Sequence, residues 1–180
     1  MYRTRPRLRC VCTDEHHADQ TRRLMYIGEN TMNEHEQDAI RATGGCLCGA
    51  VRFEIRGEVL SVVNCHCSKC RRFHGHVGAY IATHRENLIM TSTEGLKWYH
   101  SVLDETPNVY RGFCQECGSS LFWDPRSKMN ISIAAGSLDP PTRLNTVRHV
   151  WVSQKGDYYT ITDDFPRHEE GFDRETGENT

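Results

Sequence analysis

Between residues 46 and 117 the chain carries seven cysteines in three short patterns: Cys46-x-Cys48, Cys65-x-Cys67-x-x-Cys70 and Cys114-x-x-Cys117. Cysteines this close in sequence make poor disulfides with one another, because so short a loop constrains the bridge geometry. The same spacings suit a metal ion. Zinc favours thiolates, and its structural sites are four-coordinate and closed. Each pair is half of such a site, so a metal-binding reading requires segments far apart in sequence to meet. Glycines stand beside the pairs, Gly44, Gly45 and Gly49 at the first and Gly118 at the last, where the turns need backbone conformations that other residues resist.

The chain has nine cysteines, and setting aside Cys10 and Cys12, a lone pair that cannot close a site, leaves seven, one short of two four-cysteine sites. The simplest partition gives Cys46, Cys48, Cys114 and Cys117 a closed site. Cys65, Cys67 and Cys70 then form a three-ligand site with an open position, which catalytic zinc keeps for water or substrate. Spacing alone does not pair the half-sites. A closed site of three cysteines and His66, His74 or His76 is the competing arrangement. On a strand His66 would alternate with its cysteine neighbours and point away from their sulfurs, which leaves His74 and His76 better placed. His100 and His149 fall in predicted strands and carry no signal of ligation. Arg71 and Arg72 follow the triplet directly, where guanidinium groups can hold a substrate carboxylate or offset the charge of a thiolate cluster.

The rest of the chain reads as a β-dominated domain. Val51, Phe53 and Ile55 alternate with Arg52, Glu54 and Arg56, the period of a half-buried strand. Further strands are predicted over 59–64, 77–83, 87–91, 96–101, 108–113, 119–123, 129–135, 146–152 and 158–162, with one helical turn at 68–73. No long segment has the 3.6-residue period of a helix. Of the aromatics, Trp98, Tyr99, Phe113, Phe122, Trp123 and Trp151 are expected in the core, and Tyr80 and Phe73 are candidates for a pocket wall.

Residues 1–40 show little apolar periodicity and read as a poorly ordered extension, with Met25 and Met32 as alternative starts. The zinc-binding domain is expected over residues 41–170, followed by a polar tail over 171–180. No apolar run approaches the roughly 20 residues of a membrane span, and the four arginines among the first nine residues are not followed by the apolar segment of a secretory signal. A cytoplasmic setting is expected, in which cysteines stay reduced. With 22 basic and 24 acidic residues, a net charge of −2 gives no reason to expect nucleic acid or a membrane as partner.

Three motifs in order resemble a known family, the glutathione-dependent formaldehyde-activating enzymes, which include the centromere protein V type. They are Gly44-Gly45-Cys46-Leu47-Cys48-Gly49, Cys65-His66-Cys67-Ser68-Lys69-Cys70-Arg71-Arg72 and Arg111-Gly112-Phe113-Cys114-Gln115-Glu116-Cys117-Gly118. Ala135-Gly136-Ser137-Leu138-Asp139 and Asp163-Asp164-Phe165-Pro166 agree with its later landmarks. The resemblance covers residues 43–168. It implies a fold of packed antiparallel sheets (a β-tent) and two zinc ions per chain. One is a structural zinc on Cys46, Cys48, Cys114 and Cys117, the other a catalytic zinc on Cys65, Cys67 and Cys70. It also implies a carbon–sulfur lyase type of reaction joining formaldehyde to glutathione, a small thiol, as S-hydroxymethylglutathione. Residues 1–40 have no counterpart in the pattern. The rival readings are a non-catalytic zinc module for protein or nucleic acid, and a protein cycling thiols and disulfides.

Overall fold

The alternation at Val51, Phe53 and Ile55 marks a strand whose three apolar side chains are wholly buried, while Arg52, Glu54 and Arg56 between them are only half-buried. The computed structural model describes residues 39–104 and 106–172, which fall within a unit of residues 34–180. Most of the expected N-terminal extension, with Cys10 and Cys12, and the tail beyond Phe172 lie outside the described residues. In chain order the strands are β1 (Ile40–Gly45), β2 (Val51–Arg56), β3 (Leu60–Cys65), β4 (Gly78–His84), β5 (Leu88–Thr93), β6 (Leu96–His100), β7 (Val109–Cys114), β8 (Ser120–Pro125), β9 (Asn130–Ala134) and β10 (Thr146–Val150). A seven-residue helix, α1 (Ser68–His74), joins β3 to β4.

These strands form a mainly β protein of two sheets. The smaller has the order β1-β2-β5 and the larger the order β10-β3-β4-β9-β8-β7-β6. Val51, Phe53 and Ile55 of the small sheet share one core with Ile81, Leu121, Phe122, Ile131 and Ile133 of the large one. The Phe53 and Phe122 rings meet across it at 5.5 Å. Because strand side chains alternate between faces, the large sheet has a second face. Val63, Tyr80, Ala82, Trp123 and Ser132 lie there on four adjacent strands and line a cavity. One face of the sheet builds the core and the other the floor of a site.

Three expectations need correction. The large sheet is not purely antiparallel, because β10 pairs with β3 in parallel, Val150 standing opposite Cys65 and His149 opposite Asn64. A parallel neighbour requires a long crossover, and the strands from β4 to β9 supply it. The predicted strand at 158–162 does not form. Its groups bond to side chains instead of to a ladder, Lys155 donating to the Tyr159 carbonyl at 3.0 Å and the Tyr159 hydroxyl meeting His66 at 2.6 Å. Conversely, β1 has no alternation to announce it, and Gly44 and Gly45, set beside the first cysteine pair for a turn, lie within it. It is a strand because β2 pairs with it from Gly45 back to Ile40.

Candidate functional site

The seven described cysteines fall into two groups, Cys46, Cys48, Cys114 and Cys117 in one and Cys65, Cys67 and Cys70 in the other, with the sulfurs of each group within 4.8 Å of one another. All seven are free thiols. Cys46 follows β1 directly, and Cys48 lies in the turn to β2. Cys114 ends β7, and Cys117 lies in the turn to β8. The first pair belongs to the small sheet and the second to the large one. Each turn closes on itself, with the Gly49 amide bonded to the Cys46 carbonyl at 3.2 Å and the Gly118 amide to the Cys114 carbonyl at 2.8 Å. Gly49 and Gly118 hold φ of 83° and 74°, the left-handed region where a side chain is strained.

The four sulfurs fit a thiophilic ion. Cys46 Sγ stands 3.5 Å from Cys48 Sγ, which stands 3.8 Å from Cys114 Sγ. Sulfurs at 2.3 Å from a shared tetrahedral zinc would be about 3.8 Å apart, whereas a disulfide needs about 2.05 Å. The Val51 amide donates to Cys46 Sγ at 3.2 Å and Ser119 Oγ lies 3.2 Å from Cys117 Sγ, contacts that favour thiolate.

The triplet differs in two ways. Among the described residues no histidine or carboxylate ligand atom joins its three sulfurs. His74 Nε2 is paired with the Tyr80 hydroxyl, and His76 Nδ1 lies 3.3 Å from the Tyr158 hydroxyl. The triplet also borders the cavity of about 730 Å³, within the range of small-molecule sites. Cys67 caps α1, its sulfur accepting from the Cys70 amide at 3.3 Å. Hydrogen bonds from Cys65 and Cys70, with backbone amides behind them, hold the Cys67 thiol far below the ordinary thiol range. Burial takes His66 and His74 down to about 4, so both are neutral at pH 7.

Arg111 is the group that sequence reasoning passed over, although it stands inside a quoted motif. It is 2% exposed, forks onto both oxygens of Asp104 at 3.0 and 3.1 Å, and lies 4.0 Å from Cys70 Sγ. Burial opposes its charge, but Cys70, Tyr80 and Asp104 outweigh that and raise its pKa. Three thiolates around a divalent ion leave one negative charge, and this guanidinium is buried against them. Arg111→Leu is expected to lower unfolding stability by about 3–5 kcal/mol, because it strands Asp104. Arg111→Leu combined with Asp104→Leu should recover most of it in urea titrations. Equal losses in the single and double variants would remove the pairing argument.

Arg71 and Arg72 do not line the cavity, whereas Lys69, on the same helix, does. Arg71 Nε donates to the Gln154 carbonyl at 3.3 Å, and Arg72 is exposed. Of the aromatics expected in the core, Phe122 is there, while Trp123 and Trp151 pack beside the triplet and line the cavity with Tyr80. Trp98 and Tyr99 are exposed. His149 lacked any spacing that would mark it, yet its Nδ1 lies 2.8 Å from His66 Nε2. Only the parallel pairing of β10 with β3 brings them together.

Two thiol clusters able to hold metal, one between two sheets and one open to a cavity, define a cysteine-rich β protein. The chain belongs to the glutathione-dependent formaldehyde-activating enzyme family, whose description it matches over residues 41–154. A protein of Halomonas elongata, provisionally named a glutathione-dependent formaldehyde-activating enzyme, is 31% identical over 128 residues, covering 66% of this chain and 79% of that protein. A crystal structure of a Rhodobacter sphaeroides protein aligns at 27% identity with a TM-score of 0.48, covering 60% of this chain and 99% of the other. Among the described residues no helix is long and apolar enough to cross a membrane.

Proposed function

We propose that this chain is a zinc-dependent enzyme of the carbon–sulfur lyase type that makes and breaks S-hydroxymethylglutathione from glutathione and formaldehyde. The observation that carries this reading is the three-sulfur cluster that no fourth ligand atom joins among the described residues, bordering a cavity, in a chain of this family. Cys65, Cys67 and Cys70 would hold one zinc and Cys46, Cys48, Cys114 and Cys117 a second, structural one. When bound at the triplet, zinc supplies an open coordination position that favours the thiolate form of a substrate thiol.

The chain's own residues do the rest. In the forward direction a sulfur–carbon bond forms, the carbonyl π bond of formaldehyde opens, and the thiol proton ends on the new hydroxyl oxygen. Trp123, Trp151 and Tyr80 wall the cavity and keep water from the reacting carbon. Tyr80 is 6% exposed and burial keeps its hydroxyl protonated; with His74 Nε2–H donating to that hydroxyl, its own proton is left for the adduct oxygen. Glutathione carries two carboxylates and one ammonium. The sequence offered Arg71 and Arg72 for the carboxylates; in this reading that contact falls first to Lys69 and Lys128, and Glu170 faces the ammonium, since these three line the cavity and Asp104 is held by Arg111. The catalytic domain is taken as residues 41–170, with 1–40 an extension and 171–180 a tail. A reducing compartment such as the cytoplasm suits seven free thiols.

A non-catalytic module would be served by a closed site and has no use for a cavity beside it. The test is zinc analysis of the full chain, followed by NMR exchange spectroscopy between free and glutathione-bound formaldehyde. Two zinc ions per chain are expected, with exchange rising in proportion to enzyme above the spontaneous rate. Exchange that never exceeds the spontaneous rate removes the activity.

A further inference from the structure

A hydrogen-bonded chain behind the triplet takes no part in the reaction above. His66, between Cys65 and Cys67, is 1% exposed. Its Nδ1 lies 2.6 Å from the Tyr159 hydroxyl and its Nε2 2.8 Å from His149 Nδ1. His149, also buried, turns Nε2 to both oxygens of Asp163 at 3.0 and 3.1 Å. The direction of the first bond follows from the carboxylate end. Asp163 only accepts, so His149 Nε2 donates. Where His149 Nδ1 accepts, His66 donates from Nε2 and its Nδ1 accepts the Tyr159 hydroxyl proton. Both rings are fully used, and each bond carries one proton.

The backbone holds the same place. The His66 amide donates to the Val150 carbonyl at 3.0 Å, and Val150 stands opposite Cys65 in the parallel pair. The segment after β10 is tied down in turn, the His149 amide donating to the Pro166 carbonyl and the His168 amide to the His149 carbonyl, at 2.8 and 2.9 Å. Asp163 is therefore presented to His149 by a segment that is itself tied down, and the Tyr159 carbonyl is held by Lys155 Nζ at 3.0 Å.

We propose that Tyr159, His66, His149 and Asp163 are positioning residues for the triplet, fixing through His66 the direction in which the chain presents the Cys65 and Cys67 sulfurs and so setting that cluster's affinity for metal. The inference rests on the reading that the triplet holds an ion. None of the four touches the cluster as a ligand, and among the described residues nothing else bonds to the His66 ring. Groups that orient a ligand from behind typically change metal affinity by about 10–100-fold.

The test uses the full-length, zinc-loaded protein in competition with a chromophoric zinc chelator. Asp163→Ala removes the acceptor at a partly exposed position, and Tyr159→Phe removes one hydroxyl. The triplet's release phase is the one that Cys67→Ser abolishes. In both variants that phase is expected to weaken by about 10–100-fold, while the four-cysteine phase and the melting temperature hold. Asp163→Asn can accept the same bond through its amide oxygen and is expected to restore wild-type release. An unchanged triplet phase in both variants overturns the inference. So does a parallel loss from both phases with a fall in melting temperature, which would mark a general packing role. A wild-type protein with a single release phase overturns the metal reading beneath it, a result distinct from either.

Discussion

Cys114→Ser is expected to lower the melting temperature by about 6–20 °C, which corresponds to about 3–5 kcal/mol at roughly 2–4 °C per kcal/mol for a domain of this size. The chain would also lose one zinc ion. Cys114 is 0% exposed and belongs to the core shared by the two sheets, and it ends β7 at the turn facing Cys48. Its loss acts twice. A hydroxyl is buried in place of sulfur among apolar side chains, and the staple between the small and large sheets loses a ligand, where metal binding contributes directly to folding. Cys48→Ser separates the two effects. Cys48 is exposed, so that variant should lose the same ion with a smaller fall in melting temperature. Calorimetry with metal analysis reads both. If Cys114→Ser melts like the wild type and keeps two ions, the staple is not there.

Cys67→Ser is expected to leave the fold standing and abolish the reaction. Serine can cap α1 in place of cysteine, since its hydroxyl accepts from the same Cys70 amide. Cys67 is itself buried, so the melting temperature should fall, but by less than in Cys114→Ser, whose cysteine belongs to the core shared by the two sheets. The cluster loses its most acidic thiol, the one that Cys65 and Cys70 hold as thiolate. Losing several kcal/mol of transition-state stabilisation at a metal centre corresponds to a fall in turnover of about 10²–10⁴-fold. Formaldehyde exchange by NMR, set beside zinc content, measures it. Loss of the triplet's zinc with unchanged exchange would falsify the assignment of the reaction to this cluster.

How much of this was legible depended on whether the information was local. The β2 strand was readable because its alternation spans six residues and one face is buried. The cysteine spacings were readable because chelation is a local geometry. That the sulfurs of residues 46 and 48 meet those of 114 and 117 is a statement about two sheets, and spacing could not make it. Arg111 was hidden differently. An arginine on a strand reads as solvent-facing, and only the meeting of Asp104 and Cys70 around it explains its burial. His66 was expected to turn from the sulfurs, but nothing in the sequence near residue 66 indicated His149 or Tyr159. The one signal was the Asp163-Asp164-Phe165-Pro166 landmark, which says that a segment matters and not what it touches.

The parallel seat of β10 beside β3 has a consequence for synthesis on the ribosome. His66 meets its two partners across sequence separations of 83 and 93 residues, so the triplet emerges well before His149 and Tyr159 exist. During that interval the triplet has its thiols without the two groups behind His66, and pairing at such separations forms slowly. The nascent thiols are then open to oxidation and to the wrong metal, and β10 and the segment that follows it must dock before that exposure ends. A chain truncated after β9 would carry every described cysteine and lack His149, Tyr159 and Asp163, the groups behind His66.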